Sequence, residues 1–369
     1  AVVVRLHAVA SDDGITVMAG GNGRVLADGD DPRRPTARLA KDVWVLGADR
    51  VTPVLVAPPL PQVDLGASVP TRAADALFTV GRVAERAEAI ARTARVVAAR
   101  RLEDPLLVVL DGGRWAARTA AALRTVTRAG GDPDGAATAP LALVDAELRA
   151  AATAVVDNVA TLIAEATSVG EYLSVTTGRV LRSLGQVTEG WAPIDVLDAT
   201  IVDLAAFAGL WNESTVRGPA WRFGDIGRRV ERALVVLGLI ETCVGPMDPS
   251  DVIDTSVLEV VLAANESLVA YRRRHRSDVE LEPAVELLLH DRDNPRSYAA
   301  SLDRLAAHVA AIGWADGEIA VRAMTAMLAG DHPLDRVAAA RAEVTAFAEL
   351  VEATWFATPV RPMLVQGIV

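Results

Sequence analysis

Lysine is almost missing from this sequence, since only Lys41 among the 37 basic residues is a lysine and the others are arginines. Positive charge is also in the minority, with 37 lysine and arginine residues against 48 aspartate and glutamate residues and a net charge of −11 at pH 7. Nucleic acids and anionic membranes attract a positive field. The charge balance therefore predicts no nucleic-acid partner and no membrane partner.

Cysteine and long apolar runs are scarce as well. The single cysteine, Cys243, cannot form an internal disulfide, and no Cys or Cys/His spacing typical of structural zinc is present, so a cytoplasmic location is predicted. No uninterrupted run of about 18 apolar residues suggests a membrane span. The first ten residues alternate like a strand and lack the pattern of a signal peptide, so we expect a piece of a longer protein.

Aromatic residues are few, 4% of a chain that is 51% hydrophobic, and the apolar content consists mainly of alanine, valine and leucine. Such side chains favour helices that pack with their axes close together. A chain of 369 residues is longer than a domain with a single hydrophobic core usually is, which favours two domains. The predicted fold class is mainly α, a multi-helix bundle with a small β-rich segment at the N-terminus.

The chain divides by local pattern into four parts. Residues 1–57 alternate and turn like four or five short strands, and three prolines among residues 58–61 mark a linker over 58–67. Residues 68–356 are predicted to form a run of helices with no strand between them, and 357–369 a tail. The predicted helices cover residues 71–101, 114–129, 141–167, 169–185, 194–211, 219–243, 251–276, 280–290, 295–312, 316–329 and 332–356.

A charged heptapeptide occurs twice in the helical part. The stretch Gly81–Ala87 recurs 146 residues later as Gly227–Ala233, and both copies lie in the middle of a predicted helix. Each copy places Arg, Glu and Arg at positions i, i+3 and i+4, so the three charges share one face. These residues are Arg82, Glu85 and Arg86 in the first copy and Arg228, Glu231 and Arg232 in the second.

The second copy also predicts that its charged face is covered. On a helical wheel of 100° per residue, the apolar residues Val235 and Leu239 lie on the same side of the helix as the charges. We therefore expect other parts of the protein to cover this side and Arg228, Glu231 and Arg232 to be at least partly buried. A buried charge left without its partner costs about 3–5 kcal/mol. These charges must therefore be paired.

Two interpretations of the pairing remain open. In the structural one, the copies satisfy each other across a pseudo-two-fold axis, with Glu85 meeting Arg232 and Glu231 meeting Arg86. In the functional one, arginines line a pocket for an anion or substrate, and the glutamates hold them in place.

Further motifs accompany the two copies: Phe78–Glu88 around the first, Glu213–Arg217 with Trp221 and Phe223, Tyr271–Arg274, and Asn294–Ser297. Together, over residues 68–356, they resemble the bacterial alpha-E domain, an all-helical domain named for its Glu-Arg signature. The resemblance implies association, often by fusion, with circularly permuted ATP-grasp proteins and with transglutaminase-like or other peptide-modifying proteins. The candidate motif and anion-pocket residues are Arg82, Glu85, Arg86, Glu213, Arg217, Arg228, Glu231, Arg232, Arg272, Arg273, Arg274 and Arg296.

The N-terminal segment carries a second resemblance. Val4–Leu6, Val17–Val25 and Lys41–Leu46 are similar to the C-terminal end of a circularly permuted ATP-grasp domain, most of which would then lie outside this chain. This implies ATP and magnesium as cofactors of the intact protein, none in this piece, and the rest of the ATP-grasp domain as a partner. The nucleotide or phosphate candidates are Arg5, Gly20, Gly21, Arg24 and Lys41.

These candidates also have plainer interpretations. A lysine suits a phosphate as a compact point charge, but Lys41 is equally compatible with a lysine left on the surface by chance. Gly20 and Gly21 either expose backbone amides to an anion or form a tight turn between strands. Arg5 lies on the first predicted strand, from which it would face a nucleotide cleft.

Other clusters favour structural roles. The basic run 271–276 lies near a helix C-terminus, where cations are favourable, although it also suits an acidic peptide, a phosphate or the ATP-grasp body. Asn294 and Pro295 are predicted as the cap and first residue of the next helix. No Glu-x-x-His pair suggests a di-iron site, His308 is isolated, and Cys243 is predicted to be packed rather than reactive.

The predicted function follows from both resemblances. The chain is expected to be part of a fused protein that ligates a carboxylate to an amine with ATP, its helical domain holding a substrate or partner, while the piece alone is expected to be inactive. Two alternatives are kept: a non-catalytic docking module for an acidic partner, and a binder of a small anionic metabolite.

Overall fold

A computed structural model describes residues 2–11, 14–26, 40–43, 69–109, 113–128, 139–186, 194–244, 252–276, 278–330 and 332–356. The chain divides into two compact units, residues 1–63 and 64–369. Within the described residues the fold is mainly α with a small N-terminal antiparallel sheet, which confirms the predicted fold class. No helix in the described part of the chain is both long and apolar enough to cross a bilayer.

The N-terminal unit contains a three-stranded antiparallel sheet in the order β1-β2-β3. The strands are β1 (Val2–Ser11), β2 (Gly14–Val25) and β3 (Ala40–Val43). The central strand, β2, pairs with both neighbours, and Gly21 lies opposite both Leu6 and Val43.

The glycine run does not form the tight turn that the sequence suggested, because Gly20 and Gly21 lie inside β2. The register between β1 and β2 shifts between Leu6 and Ala8, where β2 carries extra residues in a bulge. Gly20 sits in this bulge with φ of 141°, a conformation that glycine adopts without steric cost. The prediction therefore missed a strand that continues through its glycines.

Several predicted features lie outside the described residues. They are the strand at residues 54–56, the second half of the strand at 41–46, the linker at 58–67 and the tail at 357–369.

The helical unit contains thirteen α-helices among its described residues. They are α1 (Thr71–Glu103), α2 (Pro105–Val109), α3 (Arg114–Thr127), α4 (Pro140–Ser168), α5 (Val175–Leu184), α6 (Ile194–Ser214), α7 (Pro219–Leu239), α8 (Val252–Ala264), α9 (Leu268–His275), α10 (Leu281–Leu289), α11 (Tyr298–Ala311), α12 (Ala315–Met327) and α13 (Val337–Trp355). Short 3₁₀ turns cover Gly170–Tyr172 and Pro333–Arg336, and a π-helical turn, Ile240–Val244, extends α7.

The long helix α1 forms the centre of this unit. It packs against α7, α4, α6, α3 and α8, and α7 in turn contacts α11 and α13. Alanine has the highest helix propensity, and its small side chain lets neighbouring helices approach on all sides. The centre of α1 accordingly buries most of its residues, from Ala73 to Ala98.

The single helix predicted over 251–276 is wrong, because the chain forms two helices, α8 and α9, with a break between them. At the break Glu266 adopts a left-handed conformation with φ of 53°. The Ser267 hydroxyl is buried and accepts a hydrogen bond of 3.0 Å from the Asn294 side-chain amide. A side-chain contact from a distant turn therefore accompanies the break, which periodicity could not reveal.

The predicted helix start at Asn294 and Pro295 is also wrong. α11 begins three residues later, where the Ser297 hydroxyl caps it by accepting a hydrogen bond from the Ala300 amide. Asn294 is buried in the preceding turn, and its side chain also donates to the Leu287 carbonyl oxygen at 2.9 Å. Asn294 thus ties the turn to α8–α9 and α10 instead of capping a helix.

Candidate functional site

α1 and α7 cross where the two copies of the charged heptapeptide begin. A Cβ atom added at Gly81 would lie 1.9 Å from the Gly224 carbonyl oxygen, and one added at Gly227 would lie 2.1 Å from the Phe78 carbonyl oxygen. Each glycine therefore contacts the backbone of the residue three positions before the other glycine. A pseudo-two-fold axis that relates the two copies requires this exchange. The backbones approach too closely for any residue with a side chain, which explains why both copies open on glycine.

Beyond the glycines, the six repeated charged residues form what we call the ion-pair crossing, consisting of Arg82, Glu85, Arg86, Arg228, Glu231 and Arg232. In its Glu85 half, the Arg232 guanidinium forms two hydrogen bonds of 2.6 Å with the two oxygens of Glu85. Arg228 adds a third at 3.0 Å. The Glu85 and Arg232 side chains are only 2% and 7% exposed.

The Glu231 half repeats this arrangement with the roles exchanged. Arg86 binds both oxygens of Glu231, at 2.7 and 2.8 Å, and Arg82 approaches the same carboxylate at 3.3 Å. The Glu231 side chain is 1% exposed. The reciprocal pairing of Glu85 with Arg232 and of Glu231 with Arg86 is confirmed, as is the predicted burial of the second copy.

The crossing holds both glutamates in the ionised form. Burial alone would raise the pKa of Glu85, but the charges of Arg232, Arg228 and Arg296 outweigh it and hold the pKa well below its usual range. Burial also acts to raise the pKa of Glu231, and hydrogen bonding from Arg86 with the charges of Arg86, Arg128 and Arg82 lowers it overall. Both carboxylates are therefore fixed anions at neutral pH.

Each half recruits a third arginine from another element. Arg296, in the turn before α11, approaches Glu85 at 3.4 Å and also pairs with Glu88. Arg128, at the end of α3, binds Glu231 at 2.6 Å. The sequence singled out Arg296 by its motif but missed Arg128 and Glu88, since neither belongs to the repeat.

Other predicted candidates in the helical unit lie apart from the crossing. Glu213 is exposed in the last turn of α6, and Arg217 lies with its guanidinium carbon 5.3 Å from the Trp221 ring centroid. The basic run falls in the last turn of α9, as predicted for cations at a helix C-terminus, where Arg272 pairs with Glu259 on α8. The run pairs further through Arg274 with Asp291, and Arg273 is exposed.

The candidates in the sheet divide between its two faces. Arg5 and Arg24 are both exposed, and their positions opposite Asn22 and Val3 place them on one face. Lys41 lies opposite Gly23 and therefore projects from the other face, which it shares with Val4 and Leu6. The sheet by itself does not bring Lys41 and the two arginines together.

A buried pair that the sequence missed links α7 to α11. Asp225 and His308 lie 2.7 Å apart between Oδ2 and Nε2, and Arg222 donates to His308 Nδ1 at 3.3 Å. His308 is thus not isolated; accepting at Nδ1 places its proton on Nε2, facing the carboxylate. The pKa of Asp225 is well below its usual range, because the hydrogen bond from His308 and the charge of Arg229 outweigh burial. Nothing in the local pattern of either residue indicated this contact.

Metal-binding and thiol chemistry find no support in the described residues. They contain no group of three or more His, Cys, Asp or Glu side chains able to hold a metal ion. Cys243 is fully buried in the π-helical turn, and burial raises its pKa to about 12, so the thiol is packed as predicted.

Comparison with known proteins gives a family and three relatives. A family model named Alpha-E, a predicted alpha-helical domain with a conserved ER motif, matches residues 69–354. Three uncharacterized proteins, one of Mycobacterium bovis and two from strains of Mycobacterium tuberculosis, are each 30% identical over 365 residues. The match covers 89% of this chain but 41% of each relative, so the chain spans less than half of their length. No solved structure matches the chain.

Proposed function

Because this chain belongs to the Alpha-E family, we propose that its helical domain is the substrate- or partner-binding module of a larger protein that ligates a carboxylate to an amine with ATP. The observation that carries the binding role is the ion-pair crossing. Glu85 and Glu231 are held ionised with their oxygens occupied by guanidinium groups, whereas a general base needs a pKa near neutrality and a free lone pair. These carboxylates are suited to orienting arginines.

The ligase part of the proposal is supported by the N-terminal segment and by length. The strands carry the motifs that resemble an ATP-grasp domain, and relatives more than twice as long leave room for the rest of one. Bound ATP would supply the phosphoryl group that activates the carboxylate as an acyl phosphate. Arg5 and Arg24 share an exposed face suited to a phosphate group, whereas Lys41 could serve only a separate contact on the other face.

The full-length Mycobacterium tuberculosis relative tests the ligase. With magnesium, ATP and amino acids as carboxylate and amine donors, we expect ADP and phosphate to form, and hydroxylamine to trap the acyl phosphate as a hydroxamate. The 369-residue chain, assayed in parallel, should release no ADP. Release of AMP and pyrophosphate, or failure of the relative to bind magnesium ATP, would contradict the proposal.

Docking of an acidic partner is a second candidate function, favoured by the exposed end of α9. Arg272 and Arg274 are 56% and 50% exposed, although each is paired with a carboxylate. A peptide-modifying partner with an acidic surface could compete for these half-exposed guanidinium groups, whose carboxylate partners Glu259 and Asp291 are themselves 20% and 12% exposed.

A further inference from the structure

A cavity of about 230 Å³ opens beside the Glu231 half, where α1, α3, α7 and α13 meet. Its polar lining consists of Arg82, Thr125, Arg128, Glu231, Arg341 and Thr345. The remaining wall is aliphatic, with Leu234 and Val235 from α7 among its members. The position of Val235 predicted that the charged face of α7 is covered by other parts of the protein. The structure covers this face only in part, because the cavity lies over it.

The charge that this cavity presents is positive. Glu231, the one carboxylate among the described lining residues, is almost fully buried, and Arg86 already binds both of its oxygens. The side chains of Arg82, Arg128 and Arg341 are 20%, 39% and 42% exposed. Among the described lining residues, three cations thus border the cavity, and the negative charge of Glu231 is already balanced by Arg86.

The carboxylates at the rim do not close this site. Arg82 also pairs with Glu352, which is 50% exposed, and Arg341 pairs with Glu241, which is 37% exposed. Ion pairs that are open to water hold their partners weakly. An entering anion can therefore compete for both guanidinium groups.

The Glu85 half shows what a purely structural version of the same motif looks like. Its third arginine, Arg296, is 18% exposed and pairs with both Glu85 and Glu88. The Pro295 carbonyl oxygen accepts a further hydrogen bond from Arg232. The cavity on this side, whose mostly apolar lining includes Glu85, Glu88 and Arg228, measures only about 10 Å³. The turn before α11 closes one half of the pseudo-symmetric pair, whereas the part of the chain that the structure describes leaves the other half open.

Arg128 is held at the C-terminal end of α3 among other cations. It ends α3 in a left-handed conformation with φ of 57°, where helices commonly use glycine. Burial lowers the pKa of Arg128, and the charges of Arg86 and Arg82 lower it further against the opposing effect of Glu231. An arginine that is partly buried and crowded by other cations is stabilised by a further anion.

We propose that this cavity binds one oxyanion group, a phosphate or a carboxylate, of a small ligand through Arg82, Arg128 and Arg341. The inference rests on the proposed binding role and gives it a place and a ligand chemistry. Guanidinium groups form paired hydrogen bonds with both kinds of oxyanion. Ligand cavities for drug-sized molecules measure about 300–1,000 Å³, so this smaller chamber suits a compact anionic ligand or the head of a larger one.

The test is a calorimetric titration of the 369-residue chain with inorganic phosphate and, separately, with succinate, each at matched ionic strength in sodium chloride. We expect saturable binding of at least one of them, and the preferred probe distinguishes a phosphate from a carboxylate ligand. Arg128→Gln and Arg341→Gln should each weaken that binding at least tenfold. Because Arg341 pairs with the exposed Glu241, its variant keeps the test valid if Arg128→Gln fails to fold.

Arg296→Gln is the matched control, because it removes an arginine from the Glu85 half, away from the cavity. It should change the melting temperature but leave the dissociation constant within twofold. No binding of either anion at millimolar concentration, or equal weakening by Arg296→Gln and Arg128→Gln, would overturn the proposal. Neither outcome depends on ATP turnover by the full-length relative, so the two proposals can fail separately.

Discussion

Replacing Glu85 with glutamine should lower the free energy of unfolding of the helical domain by about 3–5 kcal/mol. Glutamine keeps the shape of the side chain but loses the negative charge. Arg232, which is 7% exposed, and Arg228 and Arg296, which are 14% and 18% exposed, would then face a neutral amide. Urea unfolding followed by far-ultraviolet circular dichroism measures the loss.

An exposed ion pair in the same unit provides the control. Arg292 and Asp303 lie 3.0 Å apart with 64% and 44% of their side chains exposed. Asp303→Asn should change the free energy of unfolding by less than about 1 kcal/mol. If Glu85→Gln lowered the free energy of unfolding no more than Asp303→Asn, the Glu85 half would not stabilise the domain as a buried ion pair.

The second large effect is expected at the helix crossing. Gly81→Ala places a methyl group 1.9 Å from the Gly224 carbonyl oxygen, closer than any real Cβ contact, so α1 and α7 must separate. Overpacking of this kind costs about 1–3 kcal/mol and sometimes more. The loss should appear although alanine favours an isolated helix over glycine by about 1 kcal/mol.

Gly209→Ala in α6 is the matched control for this substitution. Gly209 is also helical, but no atom lies within 4 Å of an added Cβ. The variant should therefore be more stable than the parent, by up to about 1 kcal/mol. Melting temperatures that rise for both variants would show that the two backbones are not in contact at Gly81.

The pairing in the ion-pair crossing could be predicted from the sequence because all six of its residues belong to one repeated heptapeptide. The spacing of Arg82, Glu85 and Arg86 placed three charges on one helix face, and the second copy supplied their partners. A glycine in a helix interior costs about 1 kcal/mol relative to alanine. Its recurrence at Gly81 and Gly227 was the available signal for close backbone contact.

The third arginine of each half could not be predicted in the same way. Arg128 and Arg296 come from unrelated positions, one after α3 and one before α11, and the repeat does not specify them. The open cavity depends on this difference, since among the described segments the turn that carries Arg296 closes over its half and none does so over the other. Glu88 was within reach of inference, because it pairs with Arg92 at i, i+4 on α1.

The local errors have tertiary causes as well. Asn294 has the residue type and position of a helix cap, yet its amide binds Ser267 and Leu287 elsewhere in the fold. The glycines of β2 have the composition of a turn, yet a bulge and two flanking strands keep Gly20 and Gly21 inside the sheet. In both cases contacts from distant residues outweigh a local preference.

The coupling energy between Glu85 and Arg232 measures the reciprocal pairing of the two copies itself. It comes from the free energies of unfolding of the parent, Glu85→Gln, Arg232→Gln and the double variant. Two side chains joined by two 2.6 Å hydrogen bonds should give a coupling near the upper end of the usual range of about 0.5–3 kcal/mol. Single losses that add to within about 0.5 kcal/mol would contradict reciprocal pairing of the two copies.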